Sequence, residues 1–380
     1  MAEIETNGTT GKIERNSIEP EAAQKPWFYT ATSPSGTVSK GSAESLADFS
    51  ELLASATICW VDYVTQDADF DKEAHIVVEQ LGFSHELTSS ITSESYLNYQ
   101  DLDTELGMKV PSIQVRELEV EAYPLLLFLR KNFVLTIHPV NVDRRFTRLR
   151  RYSDTVLKKI PAAASAEDKL TMLLSRIIDH NNDRNFEHLR QIEEREDELS
   201  ETFMDYSVPG TELAAKIHQM KHALLIYLDA LWDSLDVLHT LRYGDAELIT
   251  DDPMLLNKLG ILADDVRRQL DLAEHMSEIL ASGLEALQAI YNNQLQNTNN
   301  QLQSTNNRLS YIVTYLTIVG TAILVPNTIA TILGDTTIFS NLSPKDHIWY
   351  WPLMIGATVV STFLAYWWVK KRGLMPGKMD

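Results

Sequence analysis

Apolar residues are interspersed with charge along most of the chain, but near its C-terminal end they gather into two uncharged runs. The first lies between Arg308 and Asp335. Its stretch 311–333 is long enough, at ~1.5 Å per helical residue, to cross a hydrocarbon core of ~30 Å. The second run, 348–369, carries Trp349, Tyr350 and Trp351 at one end and Tyr366, Trp367 and Trp368 at the other. Amphipathic rings favour the two headgroup zones, so this pattern predicts a second spanning helix. Lys370, Lys371 and Arg372 follow at once and assign that end to the cytoplasm. The intervening loop, 334–347, holds one Lys and two Asp. The N-terminal mass and the tail 370–380 are therefore expected on the cytoplasmic side of a cell (inner or plasma) membrane.

Upstream, the period changes. Residues 58–64, 125–129 and 133–138 read as buried strands, and 113–120 alternates like a half-exposed strand. Residues 71–81 read as a helix. This predicts an α/β domain over 26–165. From Ala166 to about 250 the spacing is helical: 170–206 as one helix, a break at Pro209 and Gly210, and 211–242 as its antiparallel partner. The acidic turn 192–198 reads as a solvated face.

Asp251, Asp252 and Pro253 are a helix start, with acid and proline where the first turn accepts them. No strong breaker follows until Pro326. One helix is therefore expected to run as a stalk over 251–310 and continue as the first span. Within 288–308 Asn and Gln dominate. Asn299, Asn306, Val313, Gly320 and Asn327 recur at heptad spacing, with Leu302, Leu309, Leu316 and Ile323 alongside. Buried amides are costly unless partnered. A seam with polar layers suits a symmetric bundle of identical helices around a wet axis.

The net charge of −20 argues against nucleic acid, which requires a basic footprint. The single cysteine, Cys59, lies in an apolar run and reads as a small core residue. Residues 1–25 are poor in large apolar side chains and lack the apolar core of a signal peptide, so a disordered tail is expected. No nucleophile–base pair, phosphate loop or complete metal-ligand set points to an enzyme or an organic cofactor. His218 and His222 share a helix face without an evident third ligand.

The C-terminal layout, the strand motif Trp60-Val61-Asp62, and the segment 129–138 with its basic helix at 144–152 resemble the CorA metal-ion transporter family. The resemblance covers most of the chain. It implies a funnel: an α/β cytoplasmic domain, a helical pair, a long stalk helix and a two-helix membrane hairpin, assembled as a homopentamer around one pore. It also implies a channel for Mg2+ or a related divalent cation. Val313, Leu316, Leu324 and Asn327 fall where the family has pore-lining and gate residues. One motif departs. Where the family carries Gly-Met-Asn, this chain has Gly334, Asp335 and Thr336. That opens an alternative: altered selectivity (Zn2+, Co2+, Ni2+ or nonselective), or a membrane-anchored sensor. By family analogy, Asp251, Asp252, Asp264 and Asp265 are candidates for a regulatory metal site.

Mg2+ favours oxygen ligands and dehydrates reluctantly. Rings of Asn327, Thr328 or Thr331 would supply neutral acceptors to a hydrated ion. Val313, Leu316 and Leu324 would form an apolar constriction, and Asp335 an acidic outer ring that attracts cations.

Overall fold

The computed structural model describes residues 25–66, 69–92, 97–202, 210–244, 246–333 and 346–371. The chain divides into two compact units, Met1–Glu285 and Ala286–Asp380.

The first unit is built on a seven-stranded sheet. Its strands are β1 (Trp27–Thr32), β2 (Val38–Ala43), β3 (Ile58–Thr65), β4 (Tyr99–Asp101), β5 (Glu105–Arg116), β6 (Glu119–Arg130) and β7 (Phe133–Pro139), in the order β2-β1-β3-β7-β6-β5-β4. Only β3 and β7 run parallel, with Val61 opposite Leu135. Every residue of β3 is buried, as its β-branched and aromatic composition requires of a central strand covered on both faces. Alternate residues serve opposite faces. Cys59, Val61, Tyr63, Leu135 and Ile137 join one core with α2 (Phe70–Gln80) and α3 (His85–Thr92). Gly107 lets α3 approach the sheet, since a Cβ there would sit 2.8 Å from Ile91 Cγ1. Burial pushes the Cys59 thiol pKa up, in keeping with a core residue.

Asp62, on the other face of β3, is fully buried. It accepts from Arg150 Nε at 2.5 Å and from the Thr136 hydroxyl. Arg150 lies on α4 (Asp143–Lys158) and also reaches Asp143 at 2.7 Å. Arg150 Nη2 lies 3.0 Å from His138 Nε2, which is also 3.4 Å from the Asp62 carboxylate, and His138 Nδ1 lies 3.1 Å from the Pro139 carbonyl. Burial is the largest single influence and raises the Asp62 pKa, but the Arg150 guanidinium, His138 and the Thr136 hydroxyl together outweigh it and hold the carboxyl well below the usual range.

Residues 113–120, expected as one strand, instead cross a hairpin: β5 ends at Arg116, Glu117 takes φ 57°, and β6 begins at Glu119. The alternation continues through the turn, so periodicity could not reveal it. Likewise 170–206 is not one helix. α5 (Ala166–Asn182) stops and α6 (Asn185–Thr202) begins anew, followed by α7 (Gly210–Tyr243). Among the described residues the segment therefore holds three helices rather than a pair. Tertiary hydrogen bonds fix the break: Asn181 Nδ2 donates to Pro111 O at 2.8 Å, Arg145 Nη1 donates to Asn181 O at 2.6 Å, and Tyr227 donates to Asn185 O at 2.7 Å.

The acidic turn is solvated except at Glu196, which is 3% exposed beside Ile192 and Leu199 on the inward stripe of α6. Burial, with Asp197 and Glu193 adding, pushes its pKa up to about 7. α1 (Ser50–Ser55) is a short surface helix.

Candidate functional site

α8 is one helix of 81 residues, Pro253–Leu333, with Pro326 inside it. Its start is capped by Asp252, whose carboxylate accepts the Met254 N–H at 3.0 Å. In the first unit it buries a stripe that includes Leu255, Leu259, Leu262, Val266, Leu270, Ala273 and Met276. This i, i+3/i+4 pattern explains why that part folds as an amphipathic helix.

In the second unit the character changes. Residues 291–310, the Asn/Gln tract, are exposed throughout. The membrane-length part that follows leaves Val313, Leu316, Ile323 and Leu324 each more than half exposed. α9 (Tyr350–Lys371) is also apolar and largely uncovered. Helices apolar all round and not buried by their own chain require lipid or further helices to cover them. Lys371 Nζ lies 4.9 Å from the Trp367 ring centroid, a cation–π contact at the expected interfacial end.

At ~100° per residue, Asn299, Asn306, Val313, Leu316, Gly320, Leu324, Asn327 and Thr331 fall within about 100° of arc. The residues of α8 that turn to α9 are different. Thr317, Thr321, Val325 and Ile329 line a groove of about 590 Å³ with Ala357, Ser361, Leu364 and Trp368. None of the eight lines it; their face is centred about 100° away round the helix. Threonine hydroxyls in these helices donate to carbonyls four residues back, for example Thr317 to Val313 O and Thr331 to Asn327 O, both at 2.8 Å. Thr331 thus has its proton committed and its lone pairs free, so it is an acceptor for whatever faces it.

Gly334, Asp335 and Thr336 lie outside the described residues. Of the four regulatory candidates, Asp252 serves as the helix cap and Asp265 pairs with Arg268, while Asp251 and Asp264 are exposed. Among the described residues, these four do not come together as a three-donor metal group. His218 and His222 are exposed on α7. A cluster that the sequence reading did not single out is His75, Glu79 and His85, whose donor atoms lie within 4.8 Å of one another. His75 and Glu79 share a helix face at i, i+4 spacing, a readable signal. His85 joins them only through the turn between α2 and α3.

A family model described as CorA-like Mg2+ transporter protein matches residues 55–371. Among solved structures, the complete CorA magnesium transporter from Methanocaldococcus jannaschii aligns with a TM-score of 0.56 at 17% identity, covering 92% of this chain and 99% of that one. The full-length CmaX protein aligns with a TM-score of 0.54 at 16% identity, over 92% and 98%. The ZntB cytoplasmic domain from Vibrio parahaemolyticus RIMD 2210633 aligns with a TM-score of 0.51 at 13% identity, over 70% and 98%. No curated protein matches by sequence. At these identities the structural likeness carries the fold.

Proposed function

Since the chain belongs to the CorA-like Mg2+ transporter family, we propose that it conducts divalent cations passively through a pore on the axis of a homo-oligomer, a pentamer by family analogy. The pore is lined by the α8 face from Asn299 to Thr331. The observation that supports this most is the division of α8 into two faces. One turns to α9; the other, bearing Asn327, Thr331, Gly320 and the apolar Val313, Leu316 and Leu324, is left free.

The chemistry suits a hydrated ion. Mg2+ keeps its first water shell unless ligands replace it at small, near-octahedral distances. Asn327 and Thr331 offer oxygen acceptors to those waters. The apolar rings close the path by dewetting, and Asp335 at the outer mouth raises the local cation concentration. The basic residues that follow α9 favour a cytoplasmic side for both termini and the first unit.

Proteoliposomes with an inside-negative potential are expected to take up Mg2+ without ATP. A competition series with Co2+, Ni2+ and Zn2+ then ranks the ions. Absence of uptake of any of the four would overturn conduction in favour of a membrane-anchored sensor. Gly334-Asp335-Thr336 in place of Gly-Met-Asn favours a second reading, a changed ion preference; faster uptake of Zn2+ or Co2+ than Mg2+ is its signature.

A further inference from the structure

We propose that His75, Glu79 and His85 form a binding site for a borderline transition-metal ion of the Zn2+ class, separate from the conduction path. His75 and Glu79 lie one turn apart on α2, and His85 opens α3. Gly82, at φ 80°, makes the reversal that brings His85 back to Glu79. His75 Nε2 lies 3.2 Å and His85 Nδ1 2.7 Å from the same oxygen, Glu79 Oε1. The rings are nearly perpendicular, at 88°.

The surrounding hydroxyls set which nitrogens face inward. Thr92 donates its hydroxyl to Thr88 O at 2.8 Å, so its oxygen accepts from His75 Nδ1–H at 3.3 Å. Ser89 donates to His85 O at 2.7 Å, and its oxygen lies 3.3 Å from His85 Nε2. In the ion-free protein His85 Nδ1–H donates to Glu79 Oε1 at 2.7 Å. Three ligand-type atoms converge on one point, and a bound cation takes the place of the proton between them, the imidazole N–H moving to Nε2 beside Ser89 Oγ. Outer partners that fix the ring tautomer are a regular companion of metal-ligating histidine.

The donor set chooses the ion. Two imidazole nitrogens and one carboxylate, with water in the fourth position, suit tetrahedral Zn2+, with Co2+ as a close substitute. Mg2+, which demands oxygen donors, is a poor fit. Tetrahedral coordination at ~2.05 Å sets donor–donor edges of about 3.3 Å, near the spacings to Glu79; only the wider edge of the triangle has to close. The exposed His85 gives the ion a path in from solvent.

The test is a titration of metal-free, full-length protein in detergent with Co2+, in excess Mg2+, read by the visible absorption of tetrahedral Co2+. One equivalent per chain is expected, displaced by Zn2+. His85→Ala and Glu79→Gln are each expected to weaken it at least ~10-fold. Both side chains are part-exposed, so these variants fold. A wild-type signal no greater than that of either variant, or one abolished by Mg2+, overturns the site. Conduction is measured separately, so failure here leaves the pore reading untouched.

Discussion

Asn327→Leu is expected to lower Mg2+ uptake by proteoliposomes at least ~10-fold. A hydrogen bond to a charged partner is worth about 1.5–3 kcal/mol, and ~1.4 kcal/mol is a factor of ten in rate. In an oligomer the loss repeats in every subunit at the same level of the pore, with leucine adding apolar bulk. Thr321→Val, on the face of α8 turned to α9, is expected to keep uptake within about twofold, because its hydroxyl only donates to Thr317 O. Stopped uptake in Thr321→Val with full uptake in Asn327→Leu would reverse the assignment of the two faces. If Asn327→Leu and Asp335→Asn both keep full flux, the proposed ion path is wrong.

The second large effect concerns stability. Arg150→Met is expected to destabilise the first unit by about 3–5 kcal/mol, because it strands Asp62 in the sheet interior without its cation. Adding Asp62→Asn to that variant recovers part of the loss, and a double-mutant cycle in denaturant reads the coupling. A recovery of nothing would mean the pair is uncoupled. The pH dependence has a definite sign. The Asp62 pKa is lower in the folded state than in the unfolded chain. Its contribution is therefore full above ~4, the unfolded carboxylate value, and fades as pH falls through that value towards the folded one. Wild type is expected to exceed Asp62→Asn in stability at pH 7, with the gap closing as the solution is acidified.

Much of this architecture was legible because it rests on strong one-dimensional signals. The membrane helices announce themselves by the absence of charge and by their aromatic ends. β3 and β7 are short apolar runs, and the start of α8 is written in Asp252 and Pro253. What escaped depends on contacts between distant residues. The edge strand β2, Val-Ser-Lys-Gly-Ser-Ala, is too polar to stand out and forms by pairing with β1. The break between α5 and α6 has no glycine or proline; it is held by Asn181, Arg145 and Tyr227 from elsewhere in the fold. Glu196 reads as one more surface acid, yet its place on the inward stripe buries it. The candidate metal cluster was hidden for the same reason, since His85 meets His75 only through a turn. His218 and His222, with the more conspicuous spacing, face solvent. The α8 face that lines the proposed pore follows from heptad spacing, whereas the face turned to α9 depends on how the two helices pack.

The central claim is that identical α8 helices share an axis through the face from Asn299 to Val313 and onward. Interchain disulfide formation in native membranes tests it most directly. Cys59 is 1% exposed, so the native thiol stays silent to a mild oxidant and single substitutions report alone. Asn299→Cys, Asn306→Cys and Val313→Cys are expected to yield linked dimers, while Thr321→Cys and Val325→Cys remain single chains. Linked dimers from the Thr321 and Val325 side only, or from neither side, would contradict it.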